Sequence, residues 1–144
     1  MIGRLKKLLI FGLILLLIII CILSVYGHIN EQYKPQTNDP VLLAIIDKIK
    51  QIHPKVEQLE FYDSDKSYTI NKQKVHLCLK DKDGYYYNEN MLTYVALHEL
   101  AHVLCDEVGH TEKFYQIFDQ LLDKAHDMGL YDPSIPIIKD YCNH

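Results

Sequence analysis

An uncharged apolar run near the N-terminus limits the possible folds of this chain more than any other feature. The segment Leu8–Tyr26 contains no charged residue, and only Gly12, Cys21 and Ser24 interrupt its large apolar side chains. A helix of about 18 to 20 such residues is long enough to cross the hydrocarbon core of a bilayer. Because the run is apolar on all sides, it lacks the polar face that a surface helix of a soluble protein needs. We therefore predict a transmembrane signal-anchor over Leu8–Tyr26.

A cleaved signal peptide is the main alternative to an anchor. Val25 and Gly27 are spaced as in a small-residue cleavage site, but the apolar core of a signal peptide is normally only about 7–15 residues long. Arg4, Lys6 and Lys7 precede the run, and the positive-inside rule places such charges in the cytosol. Both alternatives predict that the rest of the chain lies on the non-cytosolic side, membrane-bound or, after cleavage, secreted.

The charge of the remaining chain excludes one large class of partner. Without Arg4, Lys6 and Lys7 the chain has 12 basic residues against 19 acidic ones, a net charge of −7 with histidine neutral. A nucleic-acid binder needs a basic surface that displaces counterions from phosphates. We therefore expect no nucleic-acid partner.

The chain is predicted to contain three segments. Residues 1–27 are the N-terminal stub and the anchor, residues 28–38 are polar without periodicity and suit a linker, and residues 39–144 form one domain. Asp39 and Pro40 suit the cap and the first position of a helix. The apolar residues that follow are spaced as on one face of a helix: Leu42, Ile45, Ile46, Ile49 and Ile52.

Short extended segments follow this first helix of the domain. We predict strands over Val56–Tyr62, Tyr68–Ile70 and Lys74–Leu79, the last because apolar and polar residues alternate along it. The turn signal Asp81–Gly84 precedes Tyr85–Tyr87, which suits a returning strand. These segments predict a small antiparallel sheet.

Two further helices are predicted after the sheet. Asn90 can cap a helix over Met91–Asp106, and Thr111 can cap another that ends at Gly129. The tail Leu130–His144 contains two prolines and is expected to lie on the surface. The predicted domain is therefore α+β, in the order helix, small antiparallel sheet, helix, helix.

The middle helix carries three polar residues in the pattern H-E-x-x-H, inside the stretch "HELAHVLCDEVGH". His98 and His102 are four residues apart, so on a helix they differ by about 40° in direction and lie about 6 Å apart along the axis. Both imidazoles can bind one Zn²⁺, while Glu99 is turned away from the metal and can reach a water molecule there. This pattern is typical of zinc peptidases.

A zinc site needs a third protein ligand, and His110 is the favoured candidate. In an unbroken helix His110 would lie about 12 Å beyond the second histidine of the pattern, which is too far to share a metal. The helix must therefore end first, and Gly109 can make the reversal. Glu112 is the strongest competitor for the third position, and Glu107 and His126 are the others.

Cysteine usage leaves one disulfide possible. Cys21 lies in the apolar run, so Cys78, Cys105 and Cys142 are the cysteines of the domain. Three cysteines form at most one bond within the domain and leave one thiol free. Cys105 follows an apolar stretch and is expected to be a buried, unreactive thiol.

The stretch "LTYVALHELAHVLCDEVGHTEKFYQIFDQLL" resembles the WLM family of zinc peptidases, and especially small WLM-like proteins of large DNA viruses. The resemblance covers about Leu77 to Leu122. It implies a zincin-like fold, Zn²⁺ held by His98, His102 and His110, and Glu99 as the catalytic residue. Cellular members of the family act on proteins crosslinked to DNA. The acidic domain and the anchor instead predict a protein or peptide substrate without nucleic acid.

The expected activity is that of a membrane-anchored zinc metallopeptidase in which Glu99 assists the attack of zinc-activated water on a peptide bond. A substrate strand is expected to pair with Lys74–Leu79. His126, Tyr131 and Tyr141 are open candidates for oxyanion stabilisation. The alternative is a membrane-tethered zinc-binding structural or interaction module without turnover. In that case a further ligand, from Cys78 or Cys105, would close the metal site.

Overall fold

A computed structural model describes residues 2–31 and 37–143, and the chain divides into two units, Met1–Lys34 and Pro35–His144. The first unit is a single helix, α1 (Ile2–Glu31). Over Ile2–Gly27 this helix is long and apolar enough to cross a membrane or to act as a signal sequence, and none of that span is buried. Because α1 ends at Glu31, it extends into the segment 28–38 that was predicted to be a linker. Residues 32–36 of that segment lie outside the described residues.

The second unit confirms the predicted α+β class. Two helices follow its small sheet and one precedes it, and a 3₁₀ turn, Pro54–Gln58, leads into the first strand. The elements in chain order are α2 (Pro40–Lys50), β1 (Glu60–Asp63), β2 (Tyr68–Ile70), β3 (Lys74–Leu77), α3 (Glu89–Leu104) and α4 (Glu112–Asp127).

The start of α2 matches the sequence prediction. Asp39 accepts hydrogen bonds from the backbone N–H groups of Val41 (2.9 Å) and Leu42 (3.1 Å), and Pro40 occupies the first turn. These contacts satisfy donors that have no partner within the helix. The buried stripe of α2 consists of Leu42, Ile45, Ile46 and Ile49.

The sheet is mixed, so the predicted antiparallel sheet is wrong in one of its two pairings. The strand order is β1-β3-β2. β2 and β3 form an antiparallel hairpin, whereas β1 pairs with β3 in parallel, with Phe61 opposite Val75. The chain crosses from β1 to the far side of β3 before it turns back, and this crossing makes β1 and β3 run in the same direction.

Three predicted strands are shorter than expected, and one of them, Lys74–Leu79, ends at Leu77. The first half of Val56–Tyr62 is part of the 3₁₀ turn, because the His53 side chain accepts a hydrogen bond from the N–H of Lys55 (3.0 Å) and Pro54 begins the turn. Tyr85–Tyr87 does return beside the end of β3, but it contributes only an isolated antiparallel bridge between Lys80 and Tyr86.

Helix α3 lies at the centre of the unit and is buried on most of its surface. Its cap is Asn88, whose side chain accepts from the N–H of Met91 (2.8 Å), so the prediction of Asn90 as the cap is wrong by two residues. Asn90 instead donates to and accepts from the backbone of Asp132. Ten of the sixteen residues of α3 are buried, because α2, α4 and the sheet all pack against it.

Helix α4 begins at its predicted cap, Thr111, which accepts from the N–H of Phe114 (3.3 Å). The helix ends at Asp127, and Gly129 follows with φ +69°, which suits a residue just past a helix C-terminus. The apolar stripe of α4 faces α3, and its buried members are Phe114, Phe118, Leu121 and Ala125.

A disulfide ties the C-terminal tail to the end of β3. Cys78 and Cys142 are bonded across a sequence separation of 64 residues. Cys105 is buried and free, as predicted. Beside the disulfide, the Tyr141 hydroxyl donates to the carbonyl of Cys78 and is hydrogen-bonded to Ser67 Oγ (2.8 Å). The tail therefore packs on the domain instead of only lying on its surface.

Candidate metal centre

Three histidine nitrogens meet at the end of α3. The Nε2 atoms of His98 and His102 are 3.2 Å apart, those of His102 and His110 are 3.1 Å apart, and those of His110 and His98 are 3.0 Å apart. Among residues 2–31 and 37–143 these three side chains form the group that could share one metal ion. The fold thus brings together the three histidines that the spacing in the sequence predicted as ligands.

Hydrogen bonding alone does not satisfy this triangle of nitrogens. Each neutral imidazole presents either a proton or a lone pair at Nε2. Of three such atoms at least two must be in the same state, and two like groups at this distance repel each other. A cation that accepts all three lone pairs removes the conflict. Three nitrogens held tetrahedrally by zinc at about 2.0–2.1 Å lie about 3.3 Å apart, close to the observed separations.

The end of α3 allows the His110 side chain to reach the two histidines of the helix. The helix stops at Leu104, two residues earlier than predicted, and the backbone reverses with Gly109 at φ +85°. This left-handed conformation is one that glycine adopts without steric cost. Asp106 and Lys113 form an ion pair across the same loop (2.6 Å). The loop therefore returns His110 towards the helix that carries the other two histidines.

The aromatic ring of Phe114 packs against all three imidazoles. Its centroid lies 4.3 Å from the ring of His102, 4.9 Å from that of His110 and 5.0 Å from that of His98. Phe114 is fully buried at the first turn of α4. It thus forms an apolar support under the three rings and limits their orientations.

Burial lowers the pKa of His98 to about 4, and the neighbouring His102 and His110 act in the same direction. Burial also lowers the pKa of His102, again with a contribution from His110. A histidine with a depressed pKa is neutral near pH 7, and the neutral imidazole is the form that binds a metal. The environment of these rings therefore favours metal binding over protonation.

Glu99 is a buried carboxylate, with only 4% of its surface exposed. Its Oε2 accepts a hydrogen bond from the Thr69 hydroxyl (2.8 Å). Burial raises the pKa of Glu99 to about 7, although the hydrogen bond from Thr69 acts in the opposite direction. A carboxyl group with a pKa near neutrality is suited to both accepting and donating a proton.

The three histidines and Glu99 line one pocket of about 460 Å³. One wall is the segment that contains β2 and its turn, and the other is the loop before His110. The remaining lining residues are Ser67, Tyr68, Thr69, Asn71, Lys72, Glu107, Val108 and Gly109. The group of ligand atoms therefore opens onto a space that can admit another molecule.

The competing ligands occupy other positions. Glu107 lines the pocket but does not belong to the group of three, and Glu112 lies in the first turn of α4. His126 lies at the last turn of α4, with Nδ1 3.3 Å from the carbonyl of Tyr131. Among the residues described as lining the pocket, none of the oxyanion candidates His126, Tyr131 and Tyr141 occurs.

Two residues of the pocket wall were missed by sequence reasoning. Thr69 contacts Glu99 from β2, and the Lys72 side chain donates to the carbonyl of Cys105 at the end of α3. Both lie about 30 residues or more before their partners. No local pattern in the sequence signals such contacts, because they depend on how the β2–β3 hairpin packs on α3.

Viral proteins of unknown function are similar to this chain. An uncharacterized protein of Invertebrate iridescent virus 6 is 52% identical over 88 residues, which are 59% of this chain and 49% of that protein. One of Invertebrate iridescent virus 3 is 48% identical over 86 residues (59% and 54%). One of Acanthamoeba polyphaga mimivirus is 38% identical over 90 residues (58% and 46%). The chain thus spans about half the length of these relatives. No family profile matches the chain, and no solved structure matches it.

Proposed function

We propose that this chain is a membrane-anchored, zinc-dependent metallopeptidase. The observation that carries the proposal is that three histidine nitrogens and a buried glutamate border the same pocket. Three protein ligands with the next coordination position open to solvent are typical of catalytic zinc sites, whereas structural zinc sites are closed by four protein ligands. The resemblance to WLM-like zincins supports the same assignment.

In this proposal His98, His102 and His110 hold the zinc ion. Zinc held there would supply Lewis-acid chemistry: it would polarise the scissile carbonyl and lower the pKa of a water molecule to about 7. Glu99 accepts a proton from the attacking water and delivers it to the departing amine nitrogen as the C–N bond breaks. The buried position of Glu99 suits both steps, because burial raises the pKa of its carboxyl group towards neutrality.

The edge strand of the sheet beside the pocket is β2, not the strand that the sequence predicted to bind substrate. β3 lies in the middle of the sheet and pairs with a strand on each side, so the prediction that Lys74–Leu79 pairs with substrate is wrong. β2 has a strand neighbour on one side only within the described part of the chain, and two of its residues, Tyr68 and Thr69, line the pocket. We assign substrate pairing to the free edge of β2, where an extended peptide can add main-chain hydrogen bonds.

Two observations weigh against a zinc module without turnover. Cys78 is bonded to Cys142, so its sulfur is not available as a thiolate ligand. Cys105 is buried and does not belong to the group of possible ligands among the described residues. Neither cysteine that could have closed the site is placed to do so.

The proposed location is the membrane, with the domain on the non-cytosolic side. α1 supplies the apolar span, and Arg4, Lys6 and Lys7 precede it. The Cys78–Cys142 disulfide supports the same side, because disulfides persist in oxidising compartments and are rare in the cytosol. The proposed substrates are proteins or peptides of that compartment, and the acidic charge of the domain argues against nucleic acid.

The proposal is tested by incubating the purified full-length protein, in detergent, with a diverse peptide mixture. Cleavage products identified by mass spectrometry are expected with zinc present, and they should disappear with a chelator and return when zinc is restored. A protein that binds zinc but cuts no peptide under these conditions would favour the non-catalytic module.

A further inference from the structure

We propose that Thr69 is a positioning residue for Glu99, so that the edge strand beside the pocket holds the catalytic base in place. This inference rests on the proposed peptidase function. Thr69 lies on β2, Glu99 lies on α3, and 30 residues separate them in the sequence. The contact between them connects β2, the strand proposed to bind substrate, with α3, the helix that carries the proposed catalytic base.

The hydrogen bonding of Glu99 is the first argument. Glu99 and Thr93 are the buried polar residues among those described, and a buried carboxylate needs defined partners. The Thr69 hydroxyl lies 2.8 Å from Oε2 of Glu99 and 3.3 Å from the carbonyl oxygen of the same residue. Engaging Oε2 in this way restricts rotation of the carboxylate and leaves Oε1 for the proton transfer.

The rigidity of β2 is the second argument. Thr69 is paired with Val75 of β3, and the ring of Tyr68 stacks on His76 at 4.4 Å. At the turn that follows, Lys72 reaches the carbonyl of Cys105. β2 is therefore held by β3 along its length and tied to the end of α3 at the turn that follows it, which restricts the position of the Thr69 hydroxyl.

The expected consequence is a loss of turnover with little change in substrate binding. The backbone of β2 would still pair with the peptide after the hydroxyl is removed, so KM should change little. The carboxylate would lose its orientation, and misplacement of a reacting group by about 1 Å can lower the rate about 100-fold. We expect Thr69→Val to lower kcat by about 10- to 100-fold.

The matched variants separate positioning from folding. Thr69→Ser keeps the hydroxyl and should retain most of the activity. Thr93→Val is the control for loss of a buried hydroxyl, because Thr93 is fully buried on α3 and donates within its own helix to the carbonyl of Glu89 (2.8 Å). Thr93→Val should leave kcat close to that of the wild type. Equal losses in Thr93→Val and Thr69→Val, or no recovery in Thr69→Ser, would overturn the positioning role.

Crystal structures of the zinc-loaded wild type, Thr69→Val and Thr69→Ser supply a readout independent of activity. The Glu99 carboxylate should be displaced or rotated in the Val variant alone. If no peptide is cut by the wild type but the carboxylate moves in Thr69→Val, the peptidase proposal fails and the positioning role stands. If peptides are cut and neither kcat nor the carboxylate changes in Thr69→Val, the positioning role fails and the peptidase proposal stands.

Discussion

At the scale of single residues, Glu99 is a candidate catalytic group on a helix, α3, that otherwise supplies much of the hydrophobic core. Its neighbours Leu97, Leu100 and Ala101 are fully or almost fully buried, and the carboxylate lies among them with its own hydrogen-bond partner on β2. Leaving a carboxylate in such surroundings costs folding free energy, since burial disfavours its charged form. A group with this cost is a candidate for function.

Replacing Glu99 by Gln is expected to abolish hydrolysis and to leave zinc bound. The amide has nearly the shape of the carboxylate but cannot accept a proton, and general-base catalysis typically contributes about 10²- to 10⁴-fold to the rate. Peptide cleavage and zinc content should be measured on the same preparation. Equal cleavage rates for Glu99→Gln and the wild type would remove Glu99 from the mechanism.

The three imidazoles should be distinguishable from other histidines by metal analysis. His98→Ala, His102→Ala and His110→Ala are each expected to lower zinc content, because each removes one of three converging nitrogens. The control is His126→Ala, since His126 lies near the carbonyl of Tyr131 instead of in this group. Full zinc occupancy in His110→Ala would transfer the third position to another ligand, with Glu112 tested first.

At the scale of secondary-structure elements, the loop between α3 and α4 sets the geometry of the site. α3 presents two histidines on one face, and α4 supplies Phe114 beneath them. His110 belongs to neither helix, so its position depends on the backbone between them. Gly109, with φ +85°, is the residue of this loop that most needs glycine.

Replacing Gly109 by Ala should weaken zinc binding. A Cβ at this position would meet no atom within 4 Å, so the effect is one of backbone strain, about 1 kcal/mol for a residue other than glycine in this region. Gly84 provides a matched control, because it has the same φ of +85° and equally open surroundings in a turn that does not line the pocket. Both variants should lose similar stability in urea unfolding, but only Gly109→Ala should bind zinc less tightly. Equal zinc affinities in the two variants would contradict this role of the loop.

At the scale of the whole molecule, the proposed membrane anchor would decide which substrates the domain can meet, because it would fix the side of the membrane on which the domain lies. In sealed membrane vesicles, protease added from the cytosolic side should leave the C-terminal domain intact and should digest it once detergent is added. Changing Arg4, Lys6 and Lys7 to neutral residues should produce mixed orientations, because those charges set the bias. The Cys78–Cys142 disulfide should be present in the protected form. Digestion without detergent would place the domain in the cytosol and would bring back into consideration the DNA-linked substrates of the WLM peptidases, which the chain resembles.

Local patterns along the chain predicted several helix ends and most of the histidine group, although both ends of α3 were predicted two residues too late. Asp39, Thr111 and Gly129 mark helix ends through side-chain or backbone chemistry that acts over three or four residues, and the structure confirms all three. Helical periodicity alone predicts that His98 and His102, four residues apart, lie on the same face of α3. The position of His110 was predictable because a helix that continued would have carried it out of range.

Only the tertiary structure decided the features that depend on distant segments. The parallel pairing of β1 with β3 follows from the path of the chain across the sheet, and a strand pattern contains no information about its partner. The contact of Thr69 with Glu99 spans 30 residues, and the disulfide between Cys78 and Cys142 spans 64. A sequence pattern reports the environment of a residue along its own element, whereas packing of one element on another determines which side chains meet.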